Sequence, residues 1–349
     1  MRYSSNHSGT EIVAKNLDIP WAMEFSPDRR LFFTEREGKV KVLSNNKITT
    51  LLELKVEARK NDEGGMLGLA LSPKFAVDSH VYLYYTSKQN GNVLNKVSRF
   101  TEQDSELVDE VVIINNIPGG RVHNGGRIKF GPDGKLFITT GETWKRDLAQ
   151  DLSRLGGKIL RINEDGTIPQ DNPWRNSPIY CYGNRNSQGI AWHPVTNTLF
   201  ASEHGPSGEN GWRAHDEINI IKPGGNYGWP EVIGDSDNPK FIDPLIHTGD
   251  DTWAPSGITF YSGNRIEEWK NSLLVANLRG RHLRIINLRE PDFSNIKSSY
   301  PVYTDVFGRL RDVIMGPDEF VYICTSNKDG RGEPIAEDDV IVRVKSSPN

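Results

Sequence analysis

The 349-residue sequence predicts an all-β protein, a six-bladed β-propeller whose long inter-strand loops form a site on one face. Three observations carry this. No long apolar stripe at i, i+3, i+4 and i+7 occurs, so helices do not organise the chain. Short apolar runs are punctuated by 33 glycines and 20 prolines, the pattern of strands joined by turns. A unit of apolar strand, Pro-centred turn and second apolar strand recurs six times, which is how a propeller repeats its blades.

The first unit reads Ala22-Met23-Glu24-Phe25-Ser26-Pro27-Asp28, then Leu31-Phe32-Phe33-Thr34. The later units turn at Ser72-Pro73, Gly131-Pro132-Asp133-Gly134, His193-Pro194, a degenerate Ser262-Gly263, and Gly316-Pro317-Asp318. The anchors at 27, 73, 132, 194, 263 and 317 lie 46, 59, 62, 69 and 54 residues apart, more than a compact blade needs, so long loops are inserted. Third apolar segments follow at 39–43, 158–162, 218–221, 283–286 and 340–344. Glu11-Ile12-Val13-Ala14 is expected to add an outer strand to the last blade and close the ring, making residues 1–349 one propeller domain. A two-sheet sandwich also has many short strands, but it leaves the Pro-centred repeat unexplained.

Bulk properties exclude several classes. The 42 basic and 46 acidic residues leave a net charge of −4, which argues against a nucleic-acid binder. No apolar run reaches the length of a bilayer span, so membrane insertion is not expected. The two cysteines, Cys181 and Cys324, make neither a disulfide framework nor a zinc site; they are two buried thiols or, if the ends of the ring meet, one bridge. The start Met1-Arg2-Tyr3-Ser4-Ser5-Asn6 is polar and not a secretory leader, so the protein is cytoplasmic or a leader has been removed.

Candidate site residues follow from topology. Each blade opens on the strand nearest the axis, so residues before those strands face the mouth of the ring. They include Glu63, His123, Arg185 and Asn186, with Arg279, Arg309 and Arg311 taken as equivalent. A lone histidine is ordinarily a hydrogen-bonded structural residue, and a lone arginine a solvated charge. Their recurrence at one rim instead suits a proton acceptor beside a ligand with several carboxylates. Blade 4 adds Glu203-His204-Gly205-Pro206 and Asp216-Glu217. Exposed carbonyls with carboxylates suit Ca²⁺ rather than Zn²⁺, although an Asp-Glu pair also caps ordinary turns.

Seven motifs, in this order, give the chain a resemblance to a known family: Glu63-Gly64-Gly65-Met66-Leu67-Gly68, His123-Asn124-Gly125-Gly126-Arg127, Gly183-Asn184-Arg185-Asn186-Ser187-Gln188-Gly189, Glu203-His204-Gly205-Pro206, Asp216-Glu217-Ile218-Asn219, Asn226-Tyr227-Gly228-Trp229-Pro230 and Arg309-Leu310-Arg311-Asp312. From Ile19 to Ile341 the chain resembles the soluble glucose/sorbosone dehydrogenases, six-bladed quinoproteins that use pyrroloquinoline quinone (PQQ) and Ca²⁺. The resemblance implies oxidation of an aldose at its anomeric carbon to the lactone. His123 matches the general base, and hydride passes to PQQ. Arg185, Asn186, Arg309 and Arg311 match residues that hold PQQ, and Arg279 stands where the family has a basic residue. The carbonyls of Gly205 and Pro206 match ligands of the Ca²⁺ that bridges to PQQ. Glu217 and the carbonyl of Tyr227 match ligands of a second Ca²⁺, with Asp237 as a further contributor.

Two departures lie near the sugar: Glu63 replaces a Gln of glucose-oxidising members, and Val122 replaces an Asp before the base. Rival readings are a Ca²⁺-dependent propeller lactonase and a non-catalytic propeller that binds carbohydrate or protein. The resemblance further implies a small-molecule aldose substrate, an external electron acceptor, a periplasmic or extracellular location, and a monomer or homodimer.

Overall fold

The computed structural model describes residues 9–59 and 61–348; the polar start of the chain lies outside the described residues. After an N-terminal strand β1 (Thr10–Ala14), the chain builds six antiparallel four-stranded sheets. Blade 1 is β2 (Pro20–Phe25), β3 (Leu31–Glu35), β4 (Lys39–Ser44) and β5 (Lys47–Glu53). Blade 2 is β6 (Met66–Leu71), β7 (His80–Gln89), β8 (Asn92–Gln103) and β9 (Glu106–Pro118). Blade 3 is β10 (Ile128–Phe130), β11 (Leu136–Thr140), β12 (Lys158–Ile162) and β13 (Ile179–Tyr182). Blade 4 is β14 (Ser187–Trp192), β15 (Leu199–Glu203), β16 (Glu217–Ile221) and β17 (Ile246–His247). Blade 5 is β18 (Pro255–Phe260), β19 (Leu273–Asn277), β20 (Leu283–Leu288) and β21 (Ile296–Val302). Blade 6 is β22 (Leu310–Met315), β23 (Val321–Thr325) and β24 (Ile341–Val344), with β1 as its outermost strand. In register, Thr10 faces Val344 and Ile12 faces Val342, so the first and last strands share one sheet.

The six sheets close into a ring because neighbouring inner strands touch: β2 meets both β6 and β22, β6 meets β10, β14 meets β18, and β18 meets β22. The apolar residues bury between blades rather than in one central core. One cluster joins Trp21, Phe32, Tyr82, Ile128 and Leu160 across blades 1 to 3. Another joins Met23 and Phe33 of blade 1 to Tyr322 and Ile341 of blade 6. Among the described residues no helix is long and apolar enough to cross a membrane. Cys181 in β13 and Cys324 in β23 are both buried and free, which removes the bridge that closure of the ring had left open; they belong to blades 3 and 6, on opposite sides of the ring.

One feature of the inner strands builds the mouth. Each of β2, β6, β14, β18 and β22 carries a register shift near its start. A bulge there re-aims side chains out of the pleat. Trp21, Gln188 and Arg311 consequently face the mouth. The bulges also bring blades close together. A Cβ on Gly68 would lie 2.2 Å from the Gly126 carbonyl oxygen, and one on Gly189 would lie 2.2 Å from that of Ser256. No larger residue fits between inner strands at these points.

Candidate active site

The mouth holds a cavity of about 770 Å³. Of the residues singled out from sequence, Glu63, His123, Arg185, Gly205, Pro206, Arg279, Arg309 and Arg311 line it. Topology places them differently than expected in two cases. Arg279 lies in the β19–β20 loop, not before an inner strand, and Arg311 lies inside β22. Both still reach the mouth, because the loop between a blade's second and third strands opens on the same face as the start of its first.

His123 is 6% exposed and sits at φ 54, a left-handed conformation unusual for a side chain larger than glycine. Three contacts hold it there. Its Nδ1 lies 2.5 Å from Oε1 of the fully buried Glu142. Its backbone N–H donates to Glu63 Oε2 at 2.8 Å, and its carbonyl accepts from Thr143 N at 3.3 Å. A carboxylate only accepts, so Nδ1 carries a proton, and in the neutral imidazole Nε2 is the acceptor. Among the described residues no group bonds Nε2, and the ring lines the cavity. This is the arrangement of a general base held in one tautomer by a buried carboxylate.

Glu142 was not singled out from sequence. A signal for it exists: Glu35 ends β3, Glu203 ends β15, and Glu142 lies two residues past the end of β11. The blade repeat thus places a carboxylate near the mouth end of three second strands.

The cavity wall is strongly cationic. Eight arginines line it against three carboxylates, Glu63, Asp216 and Glu333. Arg309 is held by Asp329, through Nε at 3.0 Å and Nη2 at 2.7 Å. Arg311 donates to Gln188 Oε1 at 2.7 Å, and burial beside Arg309 and Arg36 pushes its pKa down to about 10. Arg185 is paired with Glu209 and stacks 5.3 Å over Trp229. Among the described residues, nothing bonds the buried Nε atoms of Arg36, Arg185 and Arg311. Buried donors without acceptors are costly. A ligand carrying several carboxylates accepts from guanidinium groups on this wall and offsets the excess charge, so this donor set fits PQQ. His204, also on the wall, is held well below the usual imidazole range by burial and by Arg311 and Arg185, so it is neutral.

Asn186 does not line the cavity. Its buried side chain lies behind the His123 loop, where Oδ1 accepts from Gly125 N at 3.0 Å. Glu63 acts on the protein itself: besides His123 N it binds Arg331 Nη2 at 3.1 Å.

The Gly205-Pro206 segment is organised by Asp216, whose carboxylate accepts from Gly205 N at 2.9 Å, Trp253 N at 2.7 Å and Ala254 N at 2.8 Å. A Cβ at 205 would come 1.8 Å from the Ala214 carbonyl oxygen, so only glycine fits. Behind this segment lies a small void of about 10 Å³ bounded by Glu203, Glu217 and Tyr227. Glu203 and Glu217 face each other across β15 and β16. Burial and the neighbouring Glu203 carboxylate push Glu217 up to about 8. A cation between such groups relieves both the burial and the repulsion, so the donors fit Ca²⁺. Among the described residues no group of three or more His, Cys, Asp or Glu side chains could hold a metal, so carbonyl oxygens must complete any coordination. Asp237 is not part of this set. The chain turns at Gly234, whose N–H donates to Glu217 Oε1 at 3.0 Å, and then runs outward, leaving Asp237 exposed and off the void.

Comparison with known proteins agrees with this geometry. The glucose/sorbosone dehydrogenase family matches residues 17–341. The PQQ-bound aldose sugar dehydrogenase of Streptomyces coelicolor is 36% identical with a TM-score of 0.86, covering 96% of this chain and 97% of that one. The aldose sugar dehydrogenase of Escherichia coli is 30% identical over 92% of this chain and 90% of its own length. The quinoprotein glucose dehydrogenase B of Acinetobacter calcoaceticus is 26% identical over 99% of this chain and 90% of its own length. The chain belongs to the glucose/sorbosone dehydrogenase family.

Proposed function

We propose that this protein oxidises aldose sugars at the anomeric carbon to lactones, using PQQ and Ca²⁺. The observation that carries the reading is the His123–Glu142 pair opening onto an arginine-lined cavity. When bound, PQQ supplies the two-electron quinone acceptor for the C1 hydride, and Ca²⁺ polarises it. His123 Nε2 takes the proton of the C1 hydroxyl. The buried Glu142 carboxylate then stabilises the imidazolium that forms. Glu63 holds His123 at its strained backbone angle by accepting from its N–H.

Arg309 and Arg311 grip the PQQ carboxylates, with Arg185 and Arg279 completing the cradle and Asn186 supporting it from behind. The Gly205 and Pro206 carbonyls would hold one Ca²⁺, and Glu217 with the Tyr227 carbonyl would hold a second, structural ion. An external acceptor regenerates the oxidised cofactor, in the periplasm or outside the cell. A propeller lactonase needs Ca²⁺ but no such excess of arginine, and a non-catalytic binding propeller needs no oriented base.

The test is spectroscopic. Adding PQQ with CaCl₂ to the protein should give a stoichiometric absorption change, and an aldose panel should then reduce the bound quinone. Absence of PQQ binding at micromolar concentration would sink the reading in favour of a lactonase or binding module.

A further inference from the structure

We infer that Trp144 is a stacking platform for the second ring of a reducing disaccharide whose first ring is oxidised at His123. The inference rests on the sugar-oxidising reading and extends it to substrate length. Three observations carry it.

Trp144 is 67% exposed, and it is the one aromatic residue among the exposed large hydrophobic side chains of the described residues. An indole left in water at the rim of a polar cavity has no packing role to explain it.

It stands beside the base. The Trp144 and His123 rings are 6.0 Å apart and nearly perpendicular. A sugar whose anomeric hydroxyl meets Nε2 of His123 therefore extends past the indole. Trp144 does not itself line the cavity, so the ring it meets is the one beyond the cavity rather than the one inside it. The indole face carries a negative quadrupole that suits the C–H face of a pyranose.

The backbone holds it there against its preference. Lys145 N donates to the Glu142 carbonyl at 2.9 Å, closing a four-residue turn. Both central residues, Thr143 (φ 53) and Trp144 (φ 62), are left-handed, as in a type I′ turn. Such turns ordinarily carry Asn and Gly, and a β-branched Thr is especially unsuited. Strain of this kind persists where function needs the side chain. The same turn begins at Glu142, so the platform and the carboxylate behind the base are set by one piece of chain.

The test compares maltose and cellobiose with glucose and xylose in the PQQ-loaded enzyme, at saturating artificial acceptor. In Trp144→Ala the ratio of disaccharide KM to monosaccharide KM should rise roughly three- to tenfold, the scale of one aromatic stacking contact, with the effect in KM rather than kcat. Trp144→Phe should recover most of it. The double variant Thr143→Asn/Trp144→Gly supplies the residues the turn prefers. It should melt no lower than wild type yet show the same loss, which separates platform from scaffold. Tryptophan emission of the unloaded protein should shift on adding maltose, and the shift should be absent in Trp144→Phe. An unchanged KM ratio in a wild type that oxidises aldoses overturns the platform alone, as does an effect confined to the KM of the acceptor. A wild type that oxidises no aldose but keeps the Trp144-dependent emission shift overturns the oxidation and leaves the sugar site.

Discussion

Replacing Glu142 by Gln tests the base most directly. The substitution keeps the volume of a fully buried side chain and removes its charge. In the native site the carboxylate faces Nδ1 at 2.5 Å, so its value appears when His123 becomes an imidazolium. A hydrogen bond to a charged group is worth about 1.5–3 kcal/mol net. At 1.36 kcal/mol per decade, kcat should fall about 10- to 150-fold. A carboxamide can also present its N–H₂ to Nδ1, which moves the imidazole proton to Nε2 and abolishes the acceptor. The fall should therefore lie toward the upper end of that range or beyond it. Steady-state oxidation of an aldose at saturating artificial acceptor measures kcat, and the absorption titration measures PQQ affinity. The latter should change by less than about twofold, because Glu142 does not line the cavity. A kcat within threefold of wild type, in a variant with an unaltered melting curve, would refute the role assigned to the His123–Glu142 pair.

Three further outcomes follow from the same geometry. Arg311→Met removes a buried guanidinium with an unpartnered Nε but also its bond to Gln188, so the relieved burial offsets the lost bond and the unloaded protein should unfold within about 1 kcal/mol of wild type. The same variant should bind PQQ at least ~30-fold more weakly by absorption titration, because a buried charge partner has been lost. In Gly205→Ala the new Cβ would sit 1.8 Å from the Ala214 carbonyl, so the loop must shift at a cost of about 1–3 kcal/mol. The rise in melting temperature on adding CaCl₂ should shrink, and an undiminished rise would detach Gly205 from the ion. Burial raises the Glu24 carboxyl from 4.5 to about 7, so its contribution is fully present below pH 4.5 and is lost as pH rises through 7. Urea unfolding should accordingly show Glu24→Gln gaining stability relative to wild type between those two values, and a pH-independent difference would contradict the assignment.

The repeat was legible because each blade must bury both faces of its inner strand and turn sharply after it. Those demands leave a written pattern, as in Ala22-Met23-Glu24-Phe25-Ser26-Pro27. The starts of the inner strands were less legible. β6 begins at Met66 and β14 at Ser187, each three residues before the apolar runs Leu69-Ala70-Leu71 and Ile190-Ala191-Trp192 that precede the turns, because a bulge and a glycine interrupt the alternation there. Outer strands such as β13 and β17 were also hard to read, since a short edge strand half-exposed to water needs no regular pattern.

At the site, sequence order and motif spelling pointed to His123, Arg185, Gly205, Pro206, Arg309 and Arg311, and all six line the cavity. Asn186 and Asp237 show the limit of that reading. Asn186 follows Arg185 directly, yet its side chain turns behind the His123 loop, because successive residues in extended chain face opposite ways. Asp237 has the chemistry of a Ca²⁺ ligand, but the turn at Gly234 sends it to the surface.

By itself, the sequence determined the blade count and the gathering of His123 and the arginines at the mouth, because burial periodicity and turn chemistry are local and are written where they act. Tertiary structure alone decided that Glu142 meets His123 Nδ1, that Arg311 keeps an unsatisfied Nε, and that the exposed Trp144 stands beside the His123 ring. Each of these depends on which loops of a closed ring converge, and on the desolvation that convergence imposes. Ring closure joins residues as distant in sequence as Arg127 and Asp312, whose buried ion pair of 2.9 Å spans blades 3 and 6. No local pattern records a contact of that separation.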